Sequence, residues 1–130
     1  MARTSGRVEA FTGWLTALGD AWEAGDPTAL GALFTVGATF APDPFADVVR
    51  GRRGIVAWFS DVFITWPHAT FAAQVLGAGD TYGVAHWSAA TAERALDGMW
   101  VVALDARGRC ESLREWSSGA PDKGRISAAP

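Results

Sequence analysis

Apolar positions along the chain change their period near residue 70. Before it, Val8, Phe11, Leu15, Leu18 and Trp22 recur at intervals of three and four, one face of a helix that the spacing ends near Gly25. Asp26-Pro27 opens a second helix, with Asp26 as N-cap and Pro27 at the first helical position. That helix uses Leu30, Leu33 and Phe34, and Gly37 lies just past its end. Ala38 to Ala41 reads as a brief strand broken by Pro42-Asp43-Pro44, where Pro44 forces Asp43 away from the helical region. After Gly51 a third helix is predicted from about Arg52 to Phe63, apolar through Ile55, Trp58, Phe59 and Val62.

Beyond residue 70 the pattern is strand-like over Thr70 to Gly77, Tyr82 to Ala92, Met99 to Asp105 and Arg109 to Ser117. The separators Gly79-Asp80, Asp97-Gly98 and Ala106-Arg107-Gly108 each suit a hairpin turn. Helices first and an antiparallel meander afterwards predict an α+β domain over residues 1–117, with 118–130, small and polar, as a tail. Both alternating sets of Met99 to Leu104 are apolar, so both faces of that strand are expected to be covered: one by helices, the other by a second subunit.

Composition sharpens this picture. Seven Trp and seven Phe in 130 residues exceed what a small core requires. They suit a shell around an apolar ligand, an interface, or both. A net charge of −3 gives no global attraction to nucleic acid or to an anionic membrane, and no apolar run is long enough to span a bilayer. Arg3 is followed by no apolar segment, so no secretory signal is expected and a cytoplasmic location is the default. Cys110 is the lone cysteine, and His68, His86 and Cys110 lack metal-site spacing, so neither a disulfide nor a metal or other cofactor is expected. Arg50, Arg52 and Arg53 are read as a solvated loop entering the third helix rather than as a nucleic-acid contact.

The order Trp22-Glu23-Ala24-Gly25-Asp26, Leu33-Phe34, Ala38-Thr39-Phe40, Asp43-Pro44, Arg50-Gly51, Trp58-Phe59, Gly108-Arg109 and Leu113-Arg114-Glu115-Trp116 resembles the nuclear transport factor 2-like superfamily. Within it, the similarity is to the branch of ketosteroid isomerases and SnoaL-like polyketide cyclases. The resemblance implies a cone in which a curved, mixed or antiparallel sheet wraps three N-terminal helices around an apolar pocket. It places Leu18, Trp22, Phe40, Trp58, Phe63, Val84, His86, Ser88, Trp100, Val102, Leu113 and Glu115 on the pocket side. Trp87, Met99, Val101 and Trp116 then fall on the outer face, where many such domains pair as homodimers. Leu18 stands where ketosteroid isomerases carry an oxyanion-stabilising Tyr, Trp100 or, on a shifted alignment, Val101 stands where they carry the Asp, and Asp43 comes within a one-residue shift of their proton-transferring base.

Three residues are therefore candidates for acid–base work. An inward His86 could exchange a proton with a bound carbonyl, enol or epoxide, or could be a core histidine satisfied by one contact. Glu115 in an aromatic pocket should have a raised pKa, unless it pairs with a cation or turns outward to Arg114 or Arg94. His86 and Glu115 are expected to converge across Trp100, with Asp43 either a helper or only a shaper of the bend. The chain reads as a cofactor-independent isomerase, cyclase or hydratase acting on an apolar molecule of polyketide or steroid type. A binding protein for such a ligand, or a dimerisation module, are the alternatives.

Overall fold

Helix α1 (Ala2–Ala24) is closed by Gly25, whose φ of 63° lets the chain reverse. The Gly25 and Asp26 N–H groups then bond to the carbonyls of Trp22 and Ala21, the paired bonds of a Schellman cap. Asp26 in turn caps α2 (Pro27–Gly31), its carboxylate accepting from the N–H groups of Thr28 and Ala29 at 3.1 Å. There follow β1 (Phe34–Ala41), β2 (Val49–Arg50), α3 (Arg52–Thr65), β3 (Thr70–Ala78), β4 (Tyr82–Ala90), β5 (Ala95–Leu104) and β6 (Cys110–Gly119). This is a computed structural model, and it describes the backbone of residues 2–119 and the side chains of residues 7–117. The six strands form one mixed sheet in the order β2-β1-β6-β5-β4-β3, in which only β1 and β6 run parallel.

Several boundaries differ from the sequence expectation. The second helix stops at Gly31, and Phe34, expected inside it, begins β1 opposite Cys110. Strand pairing offers Phe34 full burial, and the Arg52 guanidinium holds its carbonyl with two hydrogen bonds of 3.0 and 2.9 Å. Arg52 therefore ties α3 to β1 instead of lying in a solvated loop. Asp97-Gly98 is not a turn but the middle of β5. Gly98 lies opposite Trp87, and a Cβ there would run into the Trp116 carbonyl of β6, so the glycine serves close strand approach. The reversal falls at Thr91–Arg94, where the Thr91 hydroxyl accepts the N–H groups of Glu93 and Arg94. Strand β6 runs on through Gly119, and the rest of the expected tail, 120–130, lies outside the described residues.

One face of the sheet is packed against α1 and α3. Phe34, Ala38 and Phe40 of β1, Ala85, Trp87 and Ala89 of β4, Trp100 and Val102 of β5 and Leu113 of β6 are all buried there. They meet Phe11, Trp14, Leu15, Leu18 and Trp22 of α1 and Ile55, Phe59 and Phe63 of α3. The aromatic rings form a continuous stack: Trp87 lies 4.8 Å from Trp100 and 5.5 Å from Trp22, and Phe71 lies 5.8 Å from Trp100. No helix among the described residues is long and apolar enough to cross a membrane.

Candidate functional site

Glu115 is the carboxylate that the sheet directs at its packed face. In the β5–β6 pairing it stands directly opposite Trp100, so both side chains leave the sheet on the same side. The Trp100 indole N–H donates to Glu115 Oε1 at 2.9 Å. The Ser117 side chain lies two positions on and on the same face. The residue keeps some exposed surface, but its carboxyl is withdrawn from water, and that desolvation pushes its pKa up to about 7. The Trp100 hydrogen bond and the nearby Ser117 side chain act against the rise, and the charge of Asp43 reinforces it. A carboxyl that holds its proton near neutrality can both give and take one at physiological pH.

Asp43 reaches this end of the sheet because β1 and β6 are parallel, with Ala41 beside Arg114. Its own carboxylate accepts the Phe45 N–H at 2.6 Å and its carbonyl accepts the Ala46 N–H at 3.2 Å. Asp43 therefore shapes the bend and also sets a negative charge close to Glu115. The flanking surface is apolar: Trp58 is 41% exposed while packing edge-on against Phe40 at 5.6 Å, and the Phe45 ring is almost wholly exposed.

His86 is not part of this arrangement. It stands opposite Met99 on the other face of the sheet, where its Nε2 lies 2.9 Å from Asp97 Oδ2, and both side chains are about half exposed. The expected convergence of His86 and Glu115 across Trp100 is thus corrected: Trp100 and Glu115 share one face and His86 the opposite one. Val84 and Ser88 leave the packed face with it, whereas Trp87, expected outside, is 1% exposed within the core. The reason lies in β4 itself. Its small and apolar set, Gly83, Ala85, Trp87 and Ala89, fits beneath the helices, and Phe11 covers Gly83 so closely that no Cβ could fit. The set Tyr82, Val84, His86 and Ser88 carries the polar atoms that burial would leave unpaired. Met99, Val101 and Trp116 do lie on the outer face, and Trp116 is 42% exposed.

Of the residues expected to line a pocket, Leu18, Trp22, Phe40, Phe63, Trp100, Val102 and Leu113 are buried and pack into the core. The room is at the surface. A cleft of about 500 Å³ lies between α1 and the hairpin turns, bordered by Arg7, Phe11, Tyr82 and Asp105. A second, of about 490 Å³, lies between α1 and β3. Glu115 lines neither. Ser117 had no part in the sequence expectation, although its place two residues after Glu115 puts it on the same face. Among the described residues, two buried indole N–H groups, those of Trp22 and Trp87, find no hydrogen-bond partner. Cys110 is buried, which pushes its thiol pKa up to about 12. Among the described residues no group of three or more His, Cys, Asp or Glu side chains is placed to hold a metal ion.

A family profile described as the SnoaL-like domain matches residues 15–114. No curated protein matches the chain. Among solved structures, an NTF-2 like protein of unknown function from Burkholderia xenovorans superposes with a TM-score of 0.71 at 18% identity, covering 86% of this chain and 85% of that one. The epoxide hydrolase/cyclase-like enzyme SalBIII, of pyran ring formation in the polyether salinomycin, superposes at 0.69 and 20% identity, covering 88% and 92%. A protein from Kribbella flavida provisionally named a ketosteroid isomerase superposes at 0.69 and 11% identity, covering 85% and 78%. At these identities the likeness is one of fold.

Proposed function

Because the chain belongs to the SnoaL-like domain family, we propose that it moves protons on a small, largely apolar molecule, with Glu115 as the acid–base group and no cofactor. The observation that supports this best is the position of Glu115: a carboxyl withdrawn from water on the packed face of the sheet, held by the Trp100 indole and next to a second carboxylate, Asp43. Such a group can protonate a carbonyl or epoxide oxygen, or collect the proton released when an enol or ring forms. Trp100 fixes the direction of the carboxyl. Desolvation keeps the proton on Glu115, and the charge of Asp43 adds to that effect. Exposed Trp58 and Phe45 supply apolar surface against which a polyketide- or steroid-like body can rest. The names carried by two structural neighbours, one an epoxide hydrolase/cyclase-like enzyme and one a ketosteroid isomerase, belong to this class of reaction. On the outer face, Met99, Val101 and half-exposed Trp116 are proposed to carry a second copy of the chain in a homodimer.

The test is turnover in heavy water. Purified protein is incubated with β,γ-unsaturated cyclic ketones and with hydroxy-epoxides, and deuterium uptake, double-bond migration and ring closure are followed by NMR. The reading expects at least one of these, with a pH profile that bends near 7 and disappears in Glu115→Gln. Saturable binding with no turnover in any substrate would instead support a binding protein. Neither binding nor turnover would leave assembly alone.

A further inference from the structure

Strand β3 is an edge of the sheet, paired with β4 on one side only. Its sequence, Thr70 to Ala78, contains no charged residue and no proline, two of the devices that commonly keep an edge from pairing. A register shift between Val75 and Gly77 interrupts only the far end, so Phe71 to Val75 is regular. One contact fixes which backbone groups face outward. The Phe71 N–H donates to Glu23 Oε2 of α1 at 2.7 Å, so it points away from β4. Alternate residues of a strand turn their N–H and C=O groups to the same side. Phe71, Ala73 and Val75, opposite Ala89, Trp87 and Ala85, are therefore the pairs that make no ladder hydrogen bonds with β4. Among the described residues, Glu23 meets the Phe71 N–H, and no loop or side-chain acceptor meets those of Ala73 and Val75.

This edge opens on the cleft of about 490 Å³ between α1 and β3, which Ala73, Val75 and Glu23 all border. The strand wall from Phe71 to Val75 is about 13 Å long and the helix wall from Thr12 to Glu23 about 16 Å, room for roughly four or five extended residues. The helix wall consists largely of exposed polar residues: Thr12, Thr16, Asp20 and Glu23. No residue bordering the cleft carries a positive charge. Among the described residues neither Asp20 nor Glu23 has an ion-pair partner.

We propose that this groove docks an extended segment of another protein as an added strand beside β3, with Lys or Arg side chains of that segment set against Asp20 and Glu23. Main-chain hydrogen bonds to Ala73 and Val75 supply affinity for any extended chain. The two carboxylates select a basic segment over an acidic one. In an antiparallel added strand, the residues opposite Ala73 and Val75 turn their side chains to the same face as these two. A basic residue at every second position therefore meets the acids of α1. Glu115 does not border this groove, so peptide docking and proton transfer are decided by separate assays.

The probe is an acetylated, amidated pentapeptide alternating Val and Arg. It is compared with its Val–Glu counterpart and with a copy methylated on both Arg backbone nitrogens. Binding to the full chain is followed by calorimetry and by backbone amide signals in ¹H–¹⁵N spectra. The Arg peptide is expected to bind saturably and to move the Ala73 and Val75 amide signals downfield, the mark of new hydrogen bonds. Methylation should weaken binding about tenfold or more, the scale of one lost hydrogen bond, and the Glu peptide should be weaker by a similar factor. Thr16→Trp adds an indole to the helix wall and leaves β3 intact, so it should block the groove. Ala73→Pro removes one outward donor at an edge position where a strand tolerates proline, and should also weaken the Arg peptide about tenfold. No saturation by about 1 mM, equal binding of the methylated or the Glu peptide, or binding that survives Thr16→Trp would each overturn the proposal. If Ala73→Pro does not fold, Thr16→Trp and the methylated peptide decide alone. Self-association lost in Thr16→Trp, without peptide binding by the wild type, would give the edge to a second copy of the chain and equally overturn it.

Discussion

Replacing Glu115 by Gln isolates the energetic cost of its burial. The carboxyl has its pKa raised from an ordinary 4.5 to about 7 by desolvation, so the folded chain holds a proton there that the unfolded chain has released. Between those two values the native state binds more protons, and stability must fall as pH rises. The fall starts near pH 4.5 and is complete just above 7. At about 1.4 kcal/mol per pH unit, the interval from 4.5 to about 7 corresponds to about 3 kcal/mol. Gln keeps an oxygen that can accept the Trp100 N–H but cannot ionise. Urea unfolding of both proteins at pH 5, 6, 7 and 8 then yields a difference curve in which every other titrating group cancels. The wild type should lose on the order of 2–3 kcal/mol relative to Glu115→Gln between pH 5 and 8. Parallel curves would show that the carboxyl is solvated. A wild type that gains on the variant with rising pH would show a paired carboxylate, the opposite sign.

Other consequences are simpler to measure. His86→Ala removes one half-exposed hydrogen-bond partner of Asp97 on the outer face, so it should change stability by less than about 1 kcal/mol and leave ligand binding and any turnover unchanged; a severe loss of activity would return His86 to the site. Gly98→Ala should destabilise the fold by roughly 1–3 kcal/mol in chemical denaturation, because the new methyl meets the Trp116 backbone of β6 rather than a flexible side chain. The Cys110 thiol, buried and shifted up to about 12, should resist a thiol-reactive dye in the native protein at pH 8 and react at the rate of unfolding. Rapid labelling of the folded chain would contradict its burial.

The parts of the fold legible in the sequence were those where one local rule met no rival. Asp26-Pro27 capped its helix, Gly25 closed the preceding one, and Gly79-Asp80 and Ala106-Arg107-Gly108 fell between strands as expected. Asp97-Gly98 failed as a turn because packing at Trp87 required a residue without a side chain in mid-strand, and local turn chemistry does not report that requirement. On β6 the family pattern places Glu115 on the packed face, in phase with buried Leu113 two positions before it. On β4 the same family pattern puts His86 inward, although the alternation of Ala85, Trp87 and Ala89 with His86 and Ser88 holds the opposite phase. One residue of slip exchanges the two faces, and that slip carried His86 out of the site. The orphan donors of Trp22 and Trp87 could not be foreseen, since an unpaired N–H is a property of three-dimensional neighbours.

The parallel seam between β1 and β6 has a consequence for biosynthesis. Its two sides are joined across Phe34↔Cys110 and Phe40↔Leu113, more than seventy positions apart in the chain. A nascent polypeptide emerging from the ribosome must therefore leave the inner edge of β1 unpaired until almost everything else has been made, and the sheet cannot be bridged at its centre before then. Chaperone dependence and aggregation in truncated or stalled chains are expected to rise sharply when the break falls before Cys110, and to subside once that last strand is free to zip home.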